Sequence, residues 1–240
     1  MPGNNRNILE YAIFGPSHIF RERNGPQCGP YKMPMITKIS EQKKRPNRRN
    51  VFLDGSFAFG VNLNVVARFY LRVGLELSAE QVTDIEAGEL RQECLDKGLE
   101  YICSRLHSRS ELQRKLMRRE YGQAVIGHVL DELQRLGYVD DARFAKAKAV
   151  HAAERKHQGR RRAFMELRKA GVSNEVADGA LKEVYEKSDS VAVARELAMK
   201  QVARLRKLDP AVAKRRLVGM LQRRGFEYAD IKPVVDEVLG

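Results

Sequence analysis

One 24-residue pattern of apolar and polar positions occurs three times without gaps in this chain, beginning at Ser110, Arg161 and Arg215. Five apolar positions coincide in the three windows. The first is occupied by Leu116, Leu167 and Leu221, and the last by Leu133, Val184 and Val238. Self-similarity at a spacing of roughly 50 residues indicates stacked supersecondary units, each too small to bury its own apolar face. The pattern therefore predicts three helical repeats in an elongated array.

Capping signals divide each repeat into three helices. Ser108 with Glu111 is a capping box, Asp140 is placed as an N-cap, and Asp209-Pro210 supplies an N-cap and a first-turn proline. The predicted helices are 90–106, 109–120 and 123–136, then 141–156, 160–170 and 174–187, then 189–207, 210–224 and 227–239. Three helices joined by such short turns are typical of helix-turn-helix modules.

The segment before the repeats follows a different pattern. Alternating apolar residues on both sides of Asp54-Gly55 predict a hairpin, because a type I′ turn needs positive φ at both central residues. We expect a three-stranded antiparallel sheet with strands at 36–42, 49–54 and 56–61. A helix capped by Asn64 and ending near Arg72 should follow, then a second at 79–87 after the Ser78/Gln81 capping box. The sheet is either a docking module or, in the interpretation that we favour, a lid over the first helices.

Residues 1–34 are rich in glycine and proline and show no sustained period, which predicts a disordered tail. Met33 and Met35 lie just before the first periodic segment, so an over-called start codon explains this extension equally well. The predicted fold is mainly α, with the tail at 1–34, the sheet and short helices at 35–88, and repeats at 89–137, 138–187 and 188–240.

The composition is that of an ordinary globular protein, with 43% hydrophobic and 31% charged residues among 240. Cys28, Cys94 and Cys103 form no CxxC pair, and the last two are expected to be buried. No histidine pair has the spacing of a zinc site. No stretch approaches the ~18 apolar residues of a membrane span, and no secretory signal is present. We expect a cytoplasmic protein without a bound metal.

The sequence contains no catalytic constellation. Adjacent Asp140 and Asp141 point in different directions, and an N-cap role explains the first of them. Tyr138 and Phe144 are predicted to be core residues rather than a platform for stacked bases. GxxxxGK[ST], GxGxxG and GxSxG motifs are absent from the sequence. We therefore predict a protein that is not an enzyme and that uses no cofactor.

The net charge of +13 is unevenly distributed. Ten basic and three acidic residues give +7 for residues 1–50, four and nine give −5 for 51–100, and thirty and nineteen give +11 for 101–240. Positive charge at this density favours phosphate backbones and acidic protein surfaces alike. The charge thus indicates an acidic partner without identifying it.

The middle helix of each repeat carries a run of basic residues, and residues three or four apart share a helical face. They either contact an acidic partner or form a solvated face. We predict a contact stripe, which we call the basic stripe, made of Arg114, Lys115, Arg118, Arg119, Arg160, Arg161, Arg162, Arg168, Lys169, Lys214, Arg215, Arg216, Arg223 and Arg224.

Several strings in residues 90–240 resemble the RecX family, bacterial modulators of the RecA recombinase. They are HSRSELQRKL at 107–116, VLDELQRLGYVDDARFAKA at 129–147, and ELRKAGV at 166–172. The N-terminal VFLDGSFAFGV looks like the extension of longer family members. The resemblance implies a cytoplasmic monomer that binds the RecA filament on single-stranded DNA, slows ATP hydrolysis and strand exchange, and modulates recombination, repair and the SOS response. Binding to double-stranded DNA without sequence preference stays open.

The alternative is a helix-turn-helix transcriptional regulator, which would place a recognition helix in the major groove. The third helices, however, carry mainly acidic or apolar residues, among them Asp131, Glu132, Glu183, Asp236 and Glu237. Acidic side chains on a recognition helix would be repelled by the DNA phosphates. Their presence therefore argues against a helix that reads bases.

Overall fold

The structure is a computed structural model, and it describes residues 33–240. Within that range a three-stranded antiparallel sheet precedes ten α-helices, which confirms the predicted mainly α fold with three-helix units after a small sheet. Two compact units are distinguished, with a division between Lys97 and Gly98. The predicted disordered tail lies, except for Met33 and Pro34, outside the described residues.

The sheet of the first unit has the strands β1 (Ile36–Gln42), β2 (Arg45–Leu53) and β3 (Ser56–Asn62), in that order. Asp54 and Gly55 have φ of 47° and 83°, as the predicted turn requires. Strand β2 begins at Arg45 rather than at 49, because Arg45 pairs with Gln42 and Arg48 with Asn62. Backbone hydrogen bonds extend the ladder through this basic stretch while the first side chains stay exposed.

Two predictions on the following helices are wrong. Helix α1 (Leu63–Arg68) is capped by Asn62, whose side chain accepts from the Asn64 N–H at 2.9 Å, so Asn64 is not the cap. Helix α2 (Ala79–Ser104) is continuous where two helices were expected. Its interior Gly88 packs against Phe69, since a Cβ there would lie 2.7 Å from that ring. The reciprocal Ser78/Gln81 capping box at its start is confirmed, at 2.8 and 3.1 Å.

The second unit contains three helical modules. The first consists of the end of α2 with α3 (Arg109–Met117) and α4 (Gln123–Arg135). The second has α5 (Asp141–Val150), a π-helical turn (His151–Arg155), α6 (Arg160–Lys169) and α7 (Asn174–Tyr185). The third has α8 (Ser190–Leu205), α9 (Pro210–Arg223) and α10 (Tyr228–Leu239). We call α3, α6 and α9 the middle helices.

The apolar positions that define the repeat form the cores of the modules. Leu116, Leu167 and Leu221, which share one register position, are each 0% exposed. The predicted caps Asp140 and Asp209 accept from backbone N–H groups of α5 and α9. The Ser108/Glu111 box is only half formed: Ser108 Oγ accepts from the Glu111 N–H at 3.0 Å, while the Glu111 carboxylate binds Arg105.

Some predictions about individual side chains are confirmed and others are wrong. Phe144 is buried, but Tyr138 is 49% exposed and is not a core residue. Cys94 is buried as expected, whereas Cys103 is exposed near the end of α2. Both errors concern residues close to the end of an element, where helical periodicity no longer determines which way a side chain points.

Candidate interaction face on the middle helices

The three middle helices are amphipathic and turn their leucines inward. All residues of the basic stripe are exposed except Lys115, which is half-buried. The structure therefore places the predicted stripe residues on the outer side of the middle helices. Their side chains differ, however, in the contacts that they make within the protein.

Three cations of α6 are engaged within their own module. Arg160 pairs with Asp178 at 3.0 Å, and Arg162 lies 3.5 Å from Glu166. The Arg168 guanidinium donates to the Val172 carbonyl oxygen at 2.7 Å and so holds the turn after α6. Exposed ion pairs of this kind add little stability, but they fix the direction of the guanidinium groups.

Lys115 of α3 and Arg119 of the turn that follows it belong to a cluster around a buried histidine. The Lys115 ammonium lies 2.7 Å from His107 Nε2 and 4.6 Å from the centre of the Tyr101 ring, and the Arg119 Nε donates to the Tyr101 hydroxyl at 3.2 Å. His107 Nδ1 lies 2.9 Å from the Arg105 carbonyl oxygen, which can only accept. The Lys115 ammonium, in turn, can only donate. The imidazole is therefore neutral, with Nδ1 as donor to the Arg105 carbonyl oxygen and Nε2 as acceptor from Lys115.

Burial lowers the pKa of His107 below its usual value, and the nearby Arg105 and Lys115 charges lower that pKa further. From its sequence context His107 is expected to be a surface or capping residue, whereas the structure buries it. The only available signal was its position directly before the Ser108 cap. Nothing in that position indicates burial, since an isolated histidine beside a cap is ordinary at a surface.

The joint between the first and second modules is made by the start of α3 and the turn after α6. Ser108 Oγ donates to the Ala170 carbonyl oxygen at 2.6 Å, and the Arg114 guanidinium donates to the Lys169 carbonyl oxygen at 3.2 Å. Gly171 has φ of 84°, and a Cβ there would lie 2.3 Å from the Ser110 Cβ. Arg114 is thus a joint residue as well as a stripe residue.

The joint between the second and third modules uses the same places in the repeat. The Gly159 N–H donates to the Arg224 carbonyl oxygen at 2.9 Å, and the Arg161 N–H donates to Gly225 at 3.2 Å. The Arg224 guanidinium reaches back to the Lys156 carbonyl oxygen at 3.1 Å. Gly225 has φ of 91° and is the register equivalent of Gly171. Each joint therefore places a middle-helix start on the turn of the next module.

The remaining cations of the basic stripe have no side-chain partner among residues 33–240, and we call them the free cations. The free cations are Arg118, Arg161, Lys169, Lys214, Arg215, Arg216 and Arg223. Three of them, Arg118, Lys169 and Arg223, occupy the same register position, so that position carries a free cation in every module.

Three acidic residues of the third helices form exposed ion pairs with other helices of their own modules. Glu183 and Glu237, equivalent in register, pair with the first helices of their modules through Lys146 and Arg195, the second pair at 2.9 Å. Asp131 pairs with Arg109 at 2.7 Å. These carboxylates link helices of one module to each other.

No group of three or more histidine, cysteine or carboxylate side chains in residues 33–240 is arranged to hold a metal ion. None of the helices in the same range combines the length and the apolar character needed to cross a bilayer.

Known proteins are similar to this chain in both sequence and fold. Family models match in chain order: the regulatory protein RecX N-terminal domain at 34–78, and the first, second and third three-helix domains of RecX at 94–133, 140–181 and 188–235. The regulatory protein RecX of Bacillus licheniformis is 33% identical over 205 residues, 85% of this chain and 78% of that protein. That of Bacillus subtilis is 31% identical over 206 residues, 86% and 78% respectively.

A solved structure, described as the crystal structure of regulatory protein RecX, has a TM-score of 0.71 at 24% identity and covers 85% of this chain and 100% of that one. At this identity it shows likeness of fold. With the helical modules and the sequence relatives taken together, the chain belongs to the RecX family.

Proposed function

We propose that this chain regulates the RecA recombinase: it binds the RecA filament on single-stranded DNA and inhibits recombinase and ATPase activity. In this role it modulates recombination, DNA repair and the SOS response, acting as a monomer in the cytoplasm. Family membership supports a regulatory role. The basic stripe supports an acidic partner, and the repetition of the modules supports a partner that is itself a repeating polymer.

The observation that carries the proposal is the register position shared by Arg118, Lys169 and Arg223. All three side chains are exposed and have no partner in residues 33–240. The joints couple successive modules through backbone and side-chain hydrogen bonds, so the three cations keep a fixed spacing. Equivalent groups at fixed spacing can meet equivalent sites on a helical polymer, and linked weak contacts then act at high effective concentration.

The contacts of the third helices speak against the alternative function of a helix-turn-helix transcriptional regulator. Glu183 and Glu237 of the third helices pair with Lys146 and Arg195 on the first helices of their own modules. A helix that reads base edges presents donors and acceptors outward in the major groove. Here two of the acidic side chains are instead paired with cations of their own modules.

The proposal is tested by adding the protein to RecA on single-stranded DNA and following ATP hydrolysis. We expect inhibition by the natural chain and much weaker inhibition by a triple variant with Arg118→Glu, Lys169→Glu and Arg223→Glu. A matched control reverses one exposed arginine per module outside the middle helices, in Arg135→Glu, Arg143→Glu and Arg204→Glu. Both variants change the net charge equally, so loss in the first alone locates the contact.

An ATPase rate that excess natural chain leaves unchanged would contradict the proposal. Equal loss in both triple variants would assign binding to net charge rather than to the middle helices. Comparing random with defined DNA duplexes at physiological salt covers the alternative: sequence-dependent affinity would favour a transcriptional regulator.

A further inference from the structure

Helix α6 carries an apolar side chain in the middle of its basic face. Met165 is 62% exposed. The four positions that surround it on the helix surface, three and four residues before and after, are all basic and all exposed: Arg161, Arg162, Arg168 and Lys169. An apolar centre is thus enclosed on its own helix by a ring of cations.

This arrangement occurs only in the second of the three modules. The register equivalents of Met165 are Arg114, which is used in the first joint, and Gly219, which has no side chain. The third module has cations at three of the four surrounding positions, Arg215, Arg216 and Arg223, but nothing at the centre. The cationic ring and the apolar centre are therefore separate features, and they coincide on α6 alone.

The chemistry of the Met165 side chain favours a protein over a nucleic acid as the partner of this face. A thioether offers no donor to a phosphate, and Phe164, the aromatic residue of α6, is packed against the module's core and cannot stack on a base. Protein interfaces, in contrast, are enriched in methionine and arginine, with an apolar centre and a polar rim. A ring of cations then requires a partner with carboxylates around an apolar depression.

We propose that this face of α6 docks on an acidic protein surface that receives the Met165 side chain in an apolar pocket. The inference rests on the proposed function and deepens it: the second module contacts the protein subunits of the filament rather than their DNA strand. The surrounding cations align the contact and suppress wrong partners, while burial of the thioether side chain supplies affinity.

The test measures binding of Met165→Ala and Met165→Lys to the RecA filament on single-stranded DNA and, separately, to single-stranded DNA alone. The control is Met199→Ala, because Met199 is a 56% exposed methionine of α8 outside the basic stripe. Thermal unfolding checks that each variant is folded, which we expect because both side chains are exposed.

We expect Met165→Ala to bind the filament about tenfold more weakly, the size of a moderate interface hot spot, and Met199→Ala to be unchanged. Met165→Lys should bind the filament more weakly still, yet bind DNA alone as well as or better than the natural chain. Unchanged or tighter filament binding by Met165→Lys would overturn the inference, since an added cation strengthens a phosphate contact. Failure of the natural chain itself to bind would instead refute the proposed function.

Discussion

The backbone N–H of Gly159 donates to the carbonyl oxygen of Arg224 at 2.9 Å, which brings the start of α6 onto the turn that ends α9. A Cβ on Gly159 would lie 2.3 Å from the carbonyl carbon of Gly225. The approach of the two modules is therefore limited by backbone on both sides. In the first joint the equivalent place holds Ser108, whose hydroxyl makes the corresponding contact to Ala170.

We predict that Gly159→Ala destabilises the protein by about 2 kcal/mol, the usual effect of overpacking against atoms that cannot move aside. Gly179→Ala is the matched control, because Gly179 lies inside α7 with nothing within 4 Å of a Cβ. Its exchange should stabilise by about 0.5–1 kcal/mol through helix propensity. Urea unfolding measures both, and equal stability of the two variants would contradict this account of the joint.

The stripe residues of α3 and of the turn that follows it should have different roles. The sequence alone predicts that reversing Arg114, Arg118 and Arg119 together weakens inhibition without unfolding the array. The structure refines this: Arg114 and Arg119 have partners in the module or joint, and Arg118 has none in residues 33–240. Arg118→Glu alone should then weaken filament binding at unchanged stability, whereas Arg114→Ala should cost up to about 1 kcal/mol of unfolding free energy.

Parallel binding and urea-unfolding measurements on these two variants test the separation. A loss of stability in Arg118→Glu as large as that in Arg114→Ala would contradict the separation, because it would give Arg118 a structural role.

His107 should make the second unit less stable in mild acid. Its pKa in the folded chain is lowered, chiefly by burial, so the unfolded chain takes up a proton first as the pH falls below about 6.5. The stability that the neutral imidazole contributes is complete above that pH and declines below it. Protonated Nε2 would also face the Lys115 ammonium.

The check compares unfolding free energies between about pH 7 and about pH 5 for the natural chain and for His107→Gln. Glutamine keeps an acceptor for Lys115 and does not titrate. The natural chain should lose more stability than the variant across this interval, and parallel curves would rule out His107 as the source.

The two cysteines of α2, Cys94 and Cys103, should differ in reactivity. Burial raises the pKa of the Cys94 thiol to about 11, while Cys103 is exposed. Since the thiolate is the reactive form, a disulfide reagent should label Cys103 quickly and Cys94 only on unfolding. The measurement uses Cys28→Ser protein so that no third thiol contributes. Fast release of a second equivalent from native protein would contradict the burial of Cys94.

Local signals account for what the sequence predicted well. The caps at Ser78, Asp140 and Asp209 and the turn at Asp54-Gly55 depend on groups within four residues of each other. Amphipathic periodicity likewise placed Leu116, Leu167 and Leu221 in the cores. Prediction failed between residues 87 and 90, where a gap between two helices was expected: the structure keeps α2 continuous there and packs Gly88 against Phe69.

From local patterns, the sequence predicted three similar helical modules after a small sheet, with basic middle helices. It did so because helical periodicity, caps and charge are properties of neighbouring residues. The contacts between modules, which engage Arg114 and Arg224, became visible only in the folded chain, since partners such as Ser108 and Ala170, or Lys156 and Arg224, lie more than 60 residues apart. The packing of whole modules determines which helix start contacts which turn. That packing also helps to determine which basic side chains remain available to a partner.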